Sequence, residues 1–416
     1  MSTQASAVDA VVVGGGIGGL SSALALSRNG LSVRVLEQAN TFGEVGAGLQ
    51  LAPNATRVLD RWELLDEVRS LGFLPQQFVV KDALDGTEQV RLDLSVLSDR
   101  YGAPYLVVHR TDLHSVLMRA CRDHGVDLRA GEQCVGYEEA TGSARAFFAS
   151  GRVEEAEVVV ASDGLRSRAR GMISQDAPIN SGYVAYRGVV PIERVGDLNV
   201  DPHDLVLHVG PQCSLMQYPM RHGEVLNQMA IFASPTAFDD EEEWGTPNEL
   251  TAAFVECTEP IRKALIHMWR DVWWPMFDRQ PLDNWVRGRI VLTGDAAHPP
   301  LLYLAQGAVM AIEDAWVLGE LVAEEGVSGS IANGTPTGVN WEAVLAAYNA
   351  VRPQRCRQVM DVSRDWGRLW HVGADRRGWR NAALLDWDHG DTRYTDWLFG
   401  PTALRPQDQP PLFATP

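Results

Sequence analysis

The chain has 416 residues, 45% of them hydrophobic and 22% charged, which is enough for two domains or one elaborated one and ordinary for a globular protein. Its net charge of −18 argues against nucleic acid and against an anionic membrane surface as partners, because both call for clustered Lys and Arg. The five cysteines form no C-x-x-C pair and fit no disulfide framework; no signal peptide or apolar run of about 18 residues is visible, so a cytoplasmic protein without a transmembrane segment is expected.

Residues 10–13 read as a fully buried strand and residues 21–26 continue as a helix. Gly14, Gly16 and Gly19 fall on G-x-G-x-x-G at the turn between them. The first glycine permits the turn, the second lets a pyrophosphate approach the backbone, and the third lets helix and strand pack closely. A second apolar strand, residues 32–36, ends in Glu37, where an acid should meet ribose hydroxyls. Together these predict a dinucleotide site; a glycine-rich turn in an ordinary α/β protein is the alternative.

The glycine-rich stretch 42–51 reads as a loop passing a cofactor and entering a strand. Asn54 is placed to cap a helix running through Val58, Leu59 and Leu64. Residues 73–106 are strand-like, with Asp85-Gly86 as a hairpin turn, and form an excursion out of the dinucleotide domain. A helix follows over 112–121, and Arg110 at its start is either a cation facing phosphates or a surface residue. Residues 126–128, 134–137, 146–149 and 153–157 are strands. A buried strand then ends in Asp163-Gly164, and Ser167 and Arg170 complete a D-G-x-x-S-x-x-R pattern.

Residues 182–285 are mainly strand-like with a helical insertion at 250–269, and the acidic run 239–243 reads as a solvated face. A third buried strand ends in Gly294-Asp295. A helix follows over 309–322, and Gly307 and Ala308 at its start offer backbone N–H groups to an anionic ring or phosphate. Residues 328–340 form an exposed loop, residues 341–370 a helix, and the Trp-rich remainder reads as core, lid or dimer surface. No metal-ligand pattern is present, so no metal is expected.

Gly14-x-Gly16-x-x-Gly19, Asp163-Gly164 and Gly294-Asp295, in that order, resemble the single-component FAD-dependent aromatic hydroxylases, the group A flavoprotein monooxygenases, over nearly the whole chain. The resemblance implies an α/β (α+β) fold. A Rossmann-like FAD-binding domain would comprise 1–72, 105–180 and 283–327, a β-sheet substrate domain 73–104 and 181–282, and a helical C-terminal region 341–416. It implies tightly bound FAD, with NADH or NADPH as transient co-substrate, and often a homodimer. Gly14, Gly16, Ile17, Gly19 and Glu37 would hold the ADP half of FAD. Gly46, Ala47, Arg110 and Val135 would be further cofactor contacts, Asp163 would lie near the pyrophosphate, Asp295 would bind the ribityl chain, and Gly307-Ala308 would approach the isoalloxazine.

Within the family, stretches 46–55, 186–188 and 294–314 are most similar to the 3-hydroxybenzoate 6-hydroxylase branch, ahead of salicylate and 6-hydroxynicotinate hydroxylases. The implied reaction is NAD(P)H- and O2-dependent hydroxylation of a phenolic aromatic acid through a flavin C4a-hydroperoxide, 3-hydroxybenzoate to gentisate (2,5-dihydroxybenzoate) first. An FAD-dependent dehydrogenase or oxidase without oxygen insertion, and a non-catalytic flavoprotein, are the competing readings. An electrophilic oxygen donor needs an electron-rich ring, so the site needs a hydrogen-bond acceptor at the phenol and must exclude water. Tyr218, Ser214 and Tyr303 are the acceptor candidates, and His298 is either a further one or a residue that orients the Asp295 loop. The branch would carry His at the position of Ser214 and Gln at that of Leu302; with Leu302 apolar, weaker phenol activation and more H2O2 are expected.

Overall fold

The computed structural model describes residues 7–43, 47–196, 201–239, 243–326, 338–386 and 392–400. A six-stranded sheet runs in spatial order Val286–Arg287, Ile290–Leu292, Val158–Ala161, Ala10–Val13, Val33–Leu36 and Asp127–Arg129. All neighbours are parallel except the edge pair Val286–Arg287 with Ile290–Leu292. Its central strands are buried at every position, which is why they read as unbroken apolar runs rather than alternating ones. Parallel pairing carries one further consequence: Val13, Leu36, Ala161 and Leu292 all end at the same edge of the sheet. Gly14, Glu37, Asp163 and Gly294, far apart in sequence, therefore meet there, at the place where open α/β sheets bind ligands.

Helix Ile17–Arg28 lies against this sheet and against helix Gly307–Gly326. Small residues set their separation: a Cβ on Gly319 would stand 3.0 Å from the Ala25 Cβ, and one on Gly18 would stand 3.2 Å from that of Ala311. A seven-stranded sheet forms the second layer system, in the order Trp274–Asp278, Ile179–Pro191, Val225–Ala233, Cys213–Met220, Leu205–Gly210, Gln77–Asp82 and Glu88–Asp93. It is antiparallel except where Leu205–Gly210 runs parallel to Gln77–Asp82. A three-stranded sheet (Cys134–Ala140, Ser143–Phe148, Val153–Ala156) and a ribbon (Gly48–Leu51 with Leu106–His109) complete the strands. The fold is thus mixed α/β, with a mostly parallel sheet beside a second, mostly antiparallel one.

Helix Trp341–Trp370 packs against helix Gly307–Gly326, and shorter helices Arg377–Leu385 and Arg393–Phe399 follow. Trp366, Trp370 and Trp397 are buried, and the first two stack with centroids 4.6 Å apart, so these aromatics serve the core. Trp379 is partly buried against the same core, and Trp387 lies outside the described residues.

Four local readings need correction. Asn54 is no cap: Pro53 takes the first helical position of Pro53–Arg61, Ala52 is the cap, and the buried Asn54 Nδ2 donates to Glu313 Oε1 at 2.6 Å. That helix stops at Arg61, Glu63 adopts φ +62°, and a new helix spans Leu65–Leu71. The insertion at 250–269 is two helices, Pro247–Ala253 and Glu259–Ala264, because Pro260 cannot continue a helix from upstream and the Thr258 N–H turns to the Ala83 carbonyl at 2.9 Å. The strand Trp274–Asp278 was not separated from its surroundings in the sequence, since it shows no alternation. Parts of the acidic run and of the 328–340 loop, residues 240–242 and 328–337, lie outside the described residues.

Candidate active site

The glycine turn is built so that only glycine fits. Gly14 has φ +105°, and a Cβ there would lie 2.3 Å from the Ser162 carbonyl oxygen. A Cβ on Gly19 would lie 1.9 Å from the Gly14 oxygen. Glu37 closes the turn from the neighbouring strand: its carboxylate accepts the Gly15 N–H at 2.6 Å and the Ala39 N–H at 2.8 Å. Asp163 Oδ2 accepts from the Tyr137 hydroxyl and the Arg168 N–H, both at 2.9 Å, while its Oδ1 is buried without a partner. The buried Arg170 ties the same segment to the third marker, donating to the Ala297 carbonyl at 2.7 Å and pairing with Asp176.

A cavity of about 330 Å³ opens between the two large sheets. Gly16 to Gly19, Gly294, Asp295, Gly307 and Ala308 form one wall, with the N-termini of helices Ile17–Arg28 and Gly307–Gly326 both directed into it. Arg187, Tyr218, Asn227 and Met229 of the seven-stranded sheet form the opposite wall. Leu301, Leu302, Ala47, Gly48 and Arg110 also line it. Two helix N-termini, a turn without side chains and an acid at a strand end fit the pyrophosphate and hydroxyls of FAD. Burial lowers the Arg110 guanidinium's proton affinity and the charge of Asp295, which also lines the cavity, opposes this.

Not every residue singled out in the sequence reaches this cavity: Gly14, Glu37, Asp163, Ser214 and Tyr303 are not among the residues that line it. Val135 is 42% exposed on the three-stranded sheet. Gly46 lies outside the described residues. Tyr218 is buried in the wall, and burial raises its hydroxyl well above the usual phenol range, so it is a protonated donor rather than a base. Leu302 lines the cavity as an apolar group. Tyr303 packs beside it against Gly367, where a Cβ would come within 2.3 Å of its ring. Ser214 lies on the same strand face as Tyr218, and its Oγ stands 2.9 Å from Nε2 of His371.

His298 orients a loop. Its Nε2 stands 2.5 Å from Asp314 Oδ2, and both are fully buried. Asp314 also accepts the Gly294 N–H at 2.9 Å and pairs with Arg352 at 2.8 Å. His298, Asp314 and Cys356 bring three ligand-type atoms within 4.8 Å of one another, but the Arg352 guanidinium already neutralises this group and reaches the Cys356 sulfur at 3.3 Å.

Two residues here were not assigned from the sequence. Arg187 lies within residues 186–188, and an arginine in an apolar strand was the available signal. His371 gave none, because its meaning depends on where helix Trp341–Trp370 ends.

A family model described as an FAD binding domain matches residues 7–363. The chain belongs to this family, and it is an FAD-dependent aromatic monooxygenase. It is 34% identical over 407 residues to the 3-hydroxybenzoate 6-hydroxylase of Klebsiella oxytoca, covering 95% of this chain and 98% of that one. It is 36% identical over 366 residues to the 3-amino-4-hydroxybenzoate 2-monooxygenase PtnB3 of Streptomyces platensis, covering 87% and 88%. Among solved structures, Klebsiella pneumoniae HpxO complexed with FAD and uric acid has the same fold, with a TM-score of 0.78 at 23% identity over 91% of this chain and 93% of that one. No helix among the described residues is long and apolar enough to cross a membrane.

Proposed function

We propose that this monooxygenase hydroxylates a hydroxylated aromatic carboxylic acid, with NADH or NADPH as reductant, and that 3-hydroxybenzoate, giving gentisate, is the first substrate to test. Arg187 carries this reading. Its guanidinium lies in the cavity wall over the Trp274 ring at 5.5 Å, and its Nε is buried without a hydrogen-bond partner. No carboxylate pairs with it among the described residues, and burial lowers its proton affinity. A half-buried cation that lines a cavity without an anion carries a desolvation cost, and a bidentate substrate carboxylate would offset it. The relatives named above act on carboxylated, hydroxylated rings, which agrees with such an anchor.

Bound FAD supplies the redox chemistry and oxygen activation. The chain supplies orientation and dryness. Arg187 would hold the carboxylate at one end of the ring, and the Tyr218 hydroxyl would donate to a polar substituent. Leu301, Leu302 and Met229 would cover the ring and keep water away from it.

The test mixes FAD-loaded enzyme, NADH and 3-hydroxybenzoate in air and follows NADH loss, H2O2 and aromatic product. Gentisate supports the full reading. Another hydroxylated acid, formed from salicylate or 6-hydroxynicotinate but not from 3-hydroxybenzoate, would move the substrate while keeping the class. NADH loss with no oxygenated product from any hydroxylated aromatic acid would overturn it.

A further inference from the structure

Strand Gly48–Leu51 fixes two side chains of the cavity wall at once. The Gly48 N–H donates to Asn227 Oδ1 at 2.8 Å. A Cβ on Gly48 would stand 2.4 Å from the Tyr218 hydroxyl oxygen, so the bare backbone is pressed against that phenol. Asn227 and Tyr218 are direct neighbours across their two strands, and both line the cavity. Their row lies two residues along the sheet from the row of Arg187 and Met229, a step of about 7 Å, on the scale of a benzene ring with its substituents.

These contacts give both side chains a direction. A backbone N–H can only donate, so the Asn227 atom that meets Gly48 is its oxygen, and the amide nitrogen is the free end. That nitrogen has no hydrogen-bond partner among the described residues, and Asn227, only 2% exposed, lines the cavity. Tyr105 donates to Gln50 Oε1 at 2.7 Å, so the Gln50 amide nitrogen is likewise its free end. Gln50 acts on the Tyr218 oxygen as a donor, while burial keeps Tyr218 protonated, which leaves Tyr218 its own O–H to give. Arg187 is a cation. The wall opposite the glycine turn therefore offers donors from Arg187, Tyr218 and Asn227, and no carboxylate, imidazole or free side-chain carbonyl stands on it among the described residues. Asp295, a carboxylate of the cavity, belongs to the nucleotide wall. The hydrogen-bond acceptor expected at the phenol is thus replaced by donors.

We propose that Asn227 is a specificity-determining residue: its amide N–H and the Tyr218 O–H form a subsite that takes a ring oxygen as the phenolate and turns away an amino group at the same place. This rests on the reading of an aromatic acid anchored at Arg187. A phenolate oxygen accepts from both donors, and charge-assisted bonds of this kind favour the ionised form. Binding then releases the phenol proton to water and leaves the ring electron-rich, the form that the hydroxylation needs. An aromatic amine brings N–H groups of its own to the same place. Donor meets donor there, and a desolvated donor without an acceptor carries a cost. A site that reads a substituent through hydrogen bonds separates such similar rings far better than an apolar pocket does.

The experiment titrates FAD-loaded wild type, Asn227→Asp and Tyr218→Phe with benzoate, 3-hydroxybenzoate and 3-aminobenzoate, following the flavin absorbance. The ionisation of bound 3-hydroxybenzoate is read from its ultraviolet difference spectrum across pH. Benzoate measures the anchor alone, so the affinities of the other two acids are expressed relative to it. Wild type is expected to bind 3-hydroxybenzoate about tenfold tighter than benzoate and 3-aminobenzoate no tighter, with the bound phenol ionising about one pH unit below the free acid. Asn227→Asp keeps an oxygen for the Gly48 N–H and exchanges the free donor for an anionic acceptor. It should shift the hydroxy-over-amino preference about tenfold toward the amine and raise the ionisation pH of the bound phenol by about one unit. Tyr218→Phe should lose part of the hydroxyl's advantage over benzoate without gaining the amine. A wild type that binds the amine as tightly as the phenol, or that leaves the phenol ionising as in the free acid, would overturn the inference, as would an Asn227→Asp enzyme with wild-type preference. If Asn227→Asp fails to retain FAD, the wild-type measurements decide, and an unchanged hydroxyl advantage in Tyr218→Phe counts against the subsite. If benzoate does not bind, or binds equally well to Arg187→Gln, the reading at Arg187 fails first and takes this inference with it.

Discussion

Asp314 accepts the backbone N–H of Gly294 at 2.9 Å, so a helix side chain fixes the turn that presents Asp295 to the cavity. The same carboxylate holds His298 and Arg352, and all three side chains are fully buried. Burial alone would raise the Asp314 carboxyl; the charges of His298 and Arg352 reverse this and keep it ionised. Replacing Asp314 by Ala leaves the buried Arg352 guanidinium with Glu313 alone and takes the anion from His298, and stability should fall by about 3–5 kcal/mol. Thermal melting of the purified variant, together with its flavin content, measures this. An unchanged melting temperature would remove the network from the account.

Gly14→Ala and Gly19→Ala should abolish flavin retention. In each case the new methyl group would overlap a backbone oxygen that cannot move without opening the turn. The absorbance ratio of flavin to protein after purification reads the outcome. A variant that binds FAD normally would contradict the geometry of the turn.

Arg187→Gln should raise KM for an aromatic acid about 50-fold, the loss of a charge-assisted pair in a partly dry site. FAD content should not change, because Arg187 stands on the wall opposite the glycine turn. Arg187→Lys should recover only part of the affinity, since an ammonium cannot bind a carboxylate in bidentate fashion.

The C-terminal segment should loosen in acid. Burial would push the Asp82 carboxyl up, but hydrogen bonds from Arg377 and Asn381 and the charge of Arg380 hold it at about 2, below its ordinary 3.8. A carboxyl depressed in the folded state stabilises fully above its unfolded pKa, and that stabilisation is lost as pH falls toward the folded value. It amounts to about 2 kcal/mol at neutral pH, with roughly half gone by pH 3. Urea melts of wild type and Asp82→Asn at a series of pH values should show a gap at pH 7 that narrows below about pH 4. A constant gap would assign the effect to packing.

Leu302 lines the cavity without hydrogen-bonding capacity. Wild-type turnover of 3-hydroxybenzoate should therefore release measurable H2O2, and Leu302→Gln should raise product per NADH, by up to about fivefold for one added hydrogen bond. Complete coupling in the wild type would show that Leu302 is no handicap.

The sequence by itself determined the nucleotide half of this protein. Runs such as Val11-Val12-Val13 are buried on both faces, so their apolar character is local and legible, and the glycines and acids that follow them have fixed offsets. The interruptions at Glu63 and Thr258 were less legible, because a tertiary hydrogen bond or a positive φ overrode the helical pattern. Only the tertiary structure decided the second wall. Parallel pairing brings Gly14, Asp163 and Gly294 to one edge, but Arg187, Tyr218 and Met229 are set opposite through the register of three antiparallel strands. The end of helix Trp341–Trp370 sets His371 beside Ser214 across 157 positions of sequence. No periodicity encodes such a contact, because it depends on where a distant helix stops and on which sheet face it meets.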